Sequence, residues 1–195
     1  GKLKVIKAHY ENLESRKAEL EELILALAAP YQQELAILQT APGISSDFTA
    51  IGIISEIGTN MEAFPSAKHL CSWAGLTPTN NESAGKKKSV RVSKAGCYIK
   101  PLLVQCANAV VKSNKHPEIR NRYPRIKKRR GHKKAIIAIA RMLLTALYYM
   151  LKNGENYNAE LYRKSDLPPV DREITVEQAL MIARNQGYKI KSATA

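Results

Sequence analysis

Apolar residues recur every seven positions through the first 31 residues of the chain. The two core positions of these heptads are filled by Ile6, Leu13, Leu20 and Leu27 and by Tyr10, Lys17, Ile24 and Tyr31. This spacing predicts a coiled-coil helix. Three to four heptads is the lower limit for such a pattern, so it fits an amphipathic helix packed on its own domain equally well. Pro30 is expected to kink or end the helix.

The remaining apolar positions predict a mostly helical, all-α fold. Spacings of three and four residues, with Ser, Pro and Gly at the ends, mark further helices at about 31–39, 46–57, 66–75, 95–113, 117–130 and 132–152. The pattern is lost between residues 76 and 93, which predicts a basic loop with a short strand at Val90–Val92.

The tail from Glu155 is polar and is expected to be peripheral. Leu167–Val170 has the composition of a linker, and Thr175–Gln178 forms a capping box that predicts one short helix. The chain therefore divides into a coiled-coil or dimerisation helix (1–37), a compact helical domain (38–154) and a tail (155–195).

Charge is distributed unevenly along the chain. Of 31 Lys and Arg residues and 17 acids, 20 bases and only two acids, Glu82 and Glu118, lie between residues 63 and 154, a local net charge of +18. Such a segment repels itself unless a polyanion neutralises it, so it favours nucleic-acid binding over a merely solvated surface.

The sequence predicts no metal site and no membrane span. The three Cys form no CxxC pair, the four His lack ligand spacing, and no carboxylates cluster. The apolar helix at 132–152 contains Lys133, Lys134 and Arg141, which favours a core helix. With no signal peptide, a cytoplasmic, nucleoid-associated bacterial protein with reduced thiols is expected. The start without Met, inside a helical pattern, predicts a piece of a larger protein.

A turn at Pro42–Gly43 joins two predicted helices and has the layout of a helix-hairpin-helix. In that motif the glycine allows the DNA backbone to approach, and the amides of the following helix bind a phosphate. The alternative is a plain helix–helix turn.

The loop at 80–94 combines hydroxyls with cations. A serine that attacks a phosphodiester needs cations near the developing negative charge and a route for its proton. The loop offers cations but no obvious base, so Ser83 could be a nucleophile, or Ser83, Ser89 and Ser93 could contact phosphates, or Ser93 could cap a helix. The candidate nucleic-acid-binding residues are Gly43, Lys86, Lys87, Lys88, Arg91, Ser93, Lys94, Lys100, Arg129, Arg130, Lys133 and Lys134.

Several spaced blocks resemble one family. They are Ala41–Ile44, Ser55–Gly58, Phe64–Leu70, Trp73–Pro78, Glu82–Gly85, Arg91–Gly96 and the helix from His132 to Leu151. In this order they resemble the C-terminal domain of bridge-RNA-guided insertion-sequence transposases. Those proteins join an N-terminal RNase H-like domain of the DEDD type to a helical domain that bears a serine.

The resemblance implies a DNA recombinase in which a serine forms a covalent phosphoserine link. The matching position is Ser83, five residues after Pro78, although Ala84 replaces the usual glycine. It also implies a guide RNA, a coiled coil that supports a homo-oligomer, and Mg²⁺ in the acidic domain. That domain is missing from this sequence, so the chain alone is expected to bind nucleic acid without recombining it.

Two other functions fit the same residues. One is a non-catalytic DNA- or RNA-binding module that uses only the hairpin and the basic patches. The other is a coiled-coil dimerisation scaffold.

Overall fold

The computed structural model describes residues 1–78, 81–83, 86–89, 91–160 and 180–181; for the two strands only the backbone is described. This part of the chain is mostly helical, as predicted. Its helices are α1 (Lys2–Ala28), α2 (Gln32–Gln39), α3 (Asp47–Ile57), α4 (Ala67–Trp73), α5 (Ile99–Lys112), α6 (Pro117–Arg130) and α7 (His132–Asn153). Short 3₁₀ turns at Ala29–Tyr31 and Met61–Ala63 and strands β1 (Asn81–Ser83) and β2 (Lys86–Ser89) complete it.

The chain divides into two compact units, residues 1–158 and residues 159–195. The boundary lies close to the predicted start of the tail. The capping box at Thr175 and the linker at Leu167 fall outside the described residues, and the separation of residues 1–37 from the helical domain stays a prediction.

Helix α1 is a long helix that leaves its apolar side uncovered within the chain. Every residue from 2 to 27 is exposed except Glu21, which is half-buried, and Ala28 is the first buried residue. Pro30 lies in the 3₁₀ turn that follows, so the helix ends where the proline predicted. Leu20 is 59% exposed and Leu27 is 77% exposed. An amphipathic helix packed on its own domain would bury these positions, and α1 does not.

Helix α7 is the centre of the core. It packs against α2, α4, α5 and α6, and ten of its residues are buried, among them Ile139, Leu143, Leu144 and Leu147. By length and composition alone this helix could cross a membrane, yet 56% of its most apolar window is already buried inside the protein. That burial is what a core helix requires, as the sequence predicted.

The described strands lie before the predicted one. They are Asn81–Ser83 and Lys86–Ser89; within the predicted Val90–Val92, Val90 lies outside the described residues, Arg91 is in no strand, and Val92 forms an isolated bridge with Pro78. The alternation of Val90, Arg91 and Val92 suggested a strand because β-branched residues favour extended backbone. The pairing instead runs through the lysine-rich stretch, which propensity alone disfavours.

Helix α5 begins four residues later than predicted. Gly96 has a φ of +66°, which an α-helix does not allow, so the helix starts at Ile99 with Tyr98 as its N-cap. The suggestion that Ser93 caps this helix was therefore wrong. Ser66 does cap α4, because its side chain accepts a hydrogen bond from the His69 amide at 3.4 Å. Ser46 precedes α3 without a side-chain cap.

Candidate nucleic-acid interface

Ser83 lies at the tip of a two-stranded hairpin. Strand β1 pairs with β2 in antiparallel register, with Ser83 opposite Lys86 and Glu82 opposite Lys87, and the register is irregular beside Asn81. Only residues 84 and 85 separate Ser83 from Lys86 along the chain. Directly opposed residues in an antiparallel pair are close neighbours, so the backbone brings the candidate serine and the candidate phosphate-binding lysines together.

Two glycines hold the base of the hairpin, because each packs against the backbone of the residue that precedes the other. We call this pair, Gly75 and Gly96, the glycine clamp. Gly75 has a φ of +65°, and a Cβ there would overlap the Ala95 carbonyl oxygen. Gly96 has a φ of +66°, and a Cβ there would overlap the Ala74 carbonyl group. The bridge between Pro78 and Val92 continues from the clamp into the hairpin. The two chain segments therefore approach more closely than any side chain would allow.

Lys100 and Ser93 reinforce this base rather than standing free in solvent. The Lys100 Nζ donates a hydrogen bond to the Ser93 carbonyl oxygen at 2.6 Å, and the Ser93 hydroxyl accepts one from the Ala95 amide at 3.3 Å. Both residues are half-buried. The structure thus places two of the predicted phosphate-binding residues in the support of the loop, while Arg91 and Lys94 are exposed beside it.

The Pro42–Gly43 turn packs against α5. Gly43 has a φ of +81°, and a Cβ on it would lie 2.6 Å from Val110 Cγ2 and 2.7 Å from the Cys106 carbonyl oxygen. The glycine therefore permits close helix packing, the role expected of a plain helix–helix turn. No Lys or Arg occurs between Lys17 and Lys68, and Asp47 opens α3 and accepts a hydrogen bond from Gln39. The sequence around this turn therefore supplies no cation of its own for a phosphate.

The second group of predicted residues lies at the elbow between α6 and α7. Arg129, Arg130, Lys133 and Lys134 are all exposed on either side of Gly131, whose φ is +80°. The elbow is fixed by the Tyr123 hydroxyl, which lies 2.7 Å from His132 Nδ1. Lys127 sits over the Tyr123 ring, with its Nζ 5.7 Å from the ring centroid. The cations are therefore presented by an ordered corner of the protein.

Glu118 anchors the other end of α6. Its side chain is only 7% exposed and accepts a hydrogen bond from the Tyr157 hydroxyl at 3.2 Å, while His116 Nδ1 lies 3.4 Å away. The Tyr157 amide donates in turn to the Thr40 hydroxyl at 2.9 Å. This carboxylate holds the fold together, and no group of three or more potential metal ligands occurs among the described residues.

The buried Cys106 thiol is not a candidate nucleophile. Burial raises the pKa of the Cys106 thiol to about 11, against the weaker opposing effect of a backbone hydrogen bond. The thiol is therefore protonated at neutral pH and unreactive. Cys71 is buried as well, and Cys97 is exposed; all three are free thiols, as expected.

The outward face of α6 extends the cationic patch that the sequence indicates at residues 125–134. Its apolar side, Ile119, Tyr123 and Ile126, faces inward, and seven Lys and Arg residues of the helix are exposed: Arg120, Arg122, Arg125, Lys127, Lys128, Arg129 and, at the end of the helix, Arg130. The sequence assigned Arg129 and Arg130 to nucleic-acid binding and placed Arg125, Lys127 and Lys128 in the same cationic patch, whereas Arg120 and Arg122 lay outside it. The signal that could have found the others is the spacing of 119, 123 and 126, which fixes the inner face.

Comparison with known proteins identifies the region that carries these features. Residues 35–124 match the model of the Transposase IS116/IS110/IS902 family. The chain is also 29% identical over 150 residues to the insertion element IS110 uncharacterized 43.6 kDa protein of Streptomyces coelicolor. That alignment covers 76% of this chain and 36% of the relative, so the chain spans about a third of the relative's length. No solved structure matches.

The matched region includes the glycine clamp, the hairpin and most of α6. Residues 35–124 are thus similar to the IS110 type of insertion-element transposase. This confirms the resemblance that the spaced sequence blocks indicated.

Proposed function

We propose that this chain is the DNA-binding, serine-bearing part of an IS110-type transposase, with Ser83 as the nucleophile of DNA strand transfer. The observation that carries the proposal is the position of Ser83. It ends β1 directly opposite Lys86, in a hairpin whose base is fixed by the glycine clamp. A nucleophile must be held close to the atom that it attacks, and rigid support at the base of a short hairpin serves that need.

The proposed chemistry is a transesterification. The Ser83 oxygen forms a bond to a DNA phosphorus, the bond from phosphorus to one deoxyribose oxygen breaks, and that oxygen leaves with a proton. Lys86, Lys87 and Lys88 on the opposite strand, with Arg91 and Lys94 beside the base, are the cations that would neutralise the pentacoordinate phosphate. No side chain among the described residues is assigned as the base that removes the serine proton.

Mg²⁺ and a guide RNA are implied by the family resemblance and not by any contact of the described residues. The described carboxylates form no metal-binding group, and Glu118 is engaged with Tyr157 and His116. We therefore assign no metal-dependent step to this chain and place Mg²⁺ in the acidic domain of the full-length protein. A cytoplasmic, nucleoid-associated location follows from the same proposal.

The test of the nucleophile is a covalent link to DNA. In the full-length transposase with its guide RNA, a nicked DNA substrate that cannot religate should trap the protein as a phosphoserine adduct. We expect mass spectrometry to find the adduct on the peptide that contains Ser83. Ser83→Ala should lose it, while Ser89→Ala in the same hairpin should keep it.

A link that persists in Ser83→Ala, or that maps to another residue, would overturn the proposed role of Ser83. If neither protein forms any adduct although the wild type exchanges strands, the second candidate function gains support. That candidate is a binding module without its own nucleophile. The specific observation in its favour is the exposed cationic surface of α6, which needs no serine to bind nucleic acid.

We further propose that α1 pairs with α1 of a second copy. Its heptad positions are uncovered in the single chain, and Leu20 is 59% exposed. A Lys7–Glu11 ion pair lies on the helix surface away from the heptad core positions, as is usual on the outside of a coiled coil. A 27-residue helix with ten or so exposed apolar residues would otherwise present a large apolar surface to water.

Two single substitutions test this pairing. Leu20→Glu places a charge in the heptad seam, whereas Leu25→Glu places the same charge outside it, and both positions are exposed in the single chain. In sedimentation experiments at several concentrations we expect the wild type and Leu25→Glu to form dimers and Leu20→Glu to dissociate. A wild-type chain that stays monomeric at all concentrations would contradict the pairing.

A further inference from the structure

The cations of α6 are arranged in rows and not scattered. Residues seven apart lie on the same side of a helix, so Arg120 and Lys127 form one row, and Arg122 and Arg129 form another. The two rows lie on opposite flanks, because residues 120 and 122 are two positions apart and therefore point in nearly opposite directions. All four side chains belong to exposed residues.

A third row lies between the two flanks, opposite the buried side of the helix. Asn121, Arg125 and Lys128 are spaced by four and three residues, and all are exposed. Asn and Arg are the side chains that make two-pronged hydrogen bonds to adenine and guanine edges in the major groove. The outer face of α6 is therefore cationic on both flanks and carries along its centre side chains of the kind that bind base edges.

The helix packs on the protein along its inner face and remains α-helical through Pro124. Ile119 is fully buried on the inner face, and α6 packs on both α5 and α7. Glu118 contacts Tyr157 at the start of the helix, and Tyr123, in the middle of the helix, contacts His132. The cations can therefore meet a partner without the helix itself having to become ordered.

The dimensions of this face match one partner. A helix with its side chains is about 10–12 Å across, and the major groove of B-form DNA is about 12 Å wide with phosphates along both edges. The major groove of an RNA duplex is deep and narrow, and side chains cannot read it. A helix that lay on a flat surface of phosphates would need cations on only one of its sides, whereas α6 carries cations on both flanks.

We infer that α6 lies in the major groove of B-form DNA, with Arg120, Lys127, Arg122 and Arg129 on the phosphates and Asn121 and Arg125 on base edges. This inference rests on the proposed DNA-binding function and goes beyond it. It assigns one part of the protein to the duplex, separate from the serine hairpin, and gives the protein a base preference of its own.

The test compares duplexes and variants in binding titrations at several salt concentrations. The wild-type chain should bind a 30-base-pair DNA duplex more tightly than an RNA duplex of equal length. Methylation of guanine N7, which lies in the major groove, should weaken binding, and methylation of adenine N3, which lies in the minor groove, should not. Arg122→Ala with Arg129→Ala should reduce the slope of log affinity against log salt by about 2, because two phosphate contacts are lost.

The matched control removes the same charge elsewhere. Lys112 and Lys115 are exposed cations outside α6, and Lys112→Ala with Lys115→Ala should leave the slope close to that of the wild type. Asn121→Ala with Arg125→Ala should flatten the base preference found by selection from a random duplex pool, by roughly tenfold at the affected positions. Circular dichroism confirms that each variant keeps its helices.

The outcomes of these titrations distinguish the placement of α6 in the major groove from the proposed DNA-binding function. Equal binding of RNA and DNA duplexes, an unchanged salt slope in the α6 double variant, or no effect of N7 methylation would each overturn the placement of α6 in the groove. A wild-type chain that binds no duplex even at low salt would instead overturn the proposed DNA-binding function.

Discussion

Gly96→Ala is expected to destabilise the protein by about 2–5 kcal/mol. A left-handed backbone costs a residue with a side chain about 1–2 kcal/mol, and overpacking a filled site adds typically 1–3 kcal/mol. Both costs apply at Gly96, because its φ is +66° and a Cβ would lie 2.7 Å from the Ala74 carbonyl carbon. Chemical denaturation, followed by circular dichroism, measures this loss as a lower midpoint.

Gly154→Ala is the matched control for this change. Gly154 has nearly the same φ, +67°, but nothing lies within 4 Å of a Cβ built there. We expect this variant to lose only the backbone cost of about 1–2 kcal/mol. Equal losses in the two variants would show that the close approach of the two segments contributes nothing, and the glycine clamp would then not fix the base of the hairpin.

The helices could be predicted from the sequence because each carries its own evidence. Apolar spacing marks the buried side of α5 and α7, and local signals mark the ends, such as Ser66 before α4 and Gly154 after α7. These features depend on residues that are neighbours in the sequence, so the sequence alone is enough to predict them. The family resemblance was accessible for the same reason, since it rests on short blocks in a fixed order.

The hairpin could not be placed because its cause is tertiary. Lysines disfavour strands, yet β2 runs through Lys86, Lys87 and Lys88. The pairing begins where Gly75 and Gly96 bring two distant segments together. No pattern in the local sequence indicates that contact. The strand was therefore expected at the β-branched Val90 and Val92 instead.

The roles of single residues could not be predicted from the sequence either. Lys100 is a lysine in a basic segment, and composition alone assigns it to phosphate binding. The structure gives its ammonium group a partner within the protein, the Ser93 carbonyl oxygen. Gly43 likewise has the sequence of a DNA-contacting turn but packs on Val110. Charge counts identify a candidate binding segment, and only the fold separates the residues that support it from those that face outward.

Leu144→Ala in α7 is expected to cost about 2–5 kcal/mol in the free energy of unfolding. Leu144 is 0% exposed, and truncating a buried leucine removes its transfer free energy and leaves a cavity. Leu151→Ala is the control, because it lies seven residues later on the same side of the helix and is half-buried. Its loss should be about half as large. Denaturation of the chain in aqueous buffer measures both values.

This comparison also decides what kind of helix α7 is. By length and apolar content it could cross a membrane, and lipid would then surround much of its surface. In that case the cost of a substitution would not follow burial within the protein, and Leu144 and Leu151 would respond alike. A core helix predicts the opposite, with the loss concentrated where α4, α5 and α6 pack against it. Since α7 supports α4 and α5, between which the hairpin is clamped, a loss at Leu144 should also weaken the support of the serine.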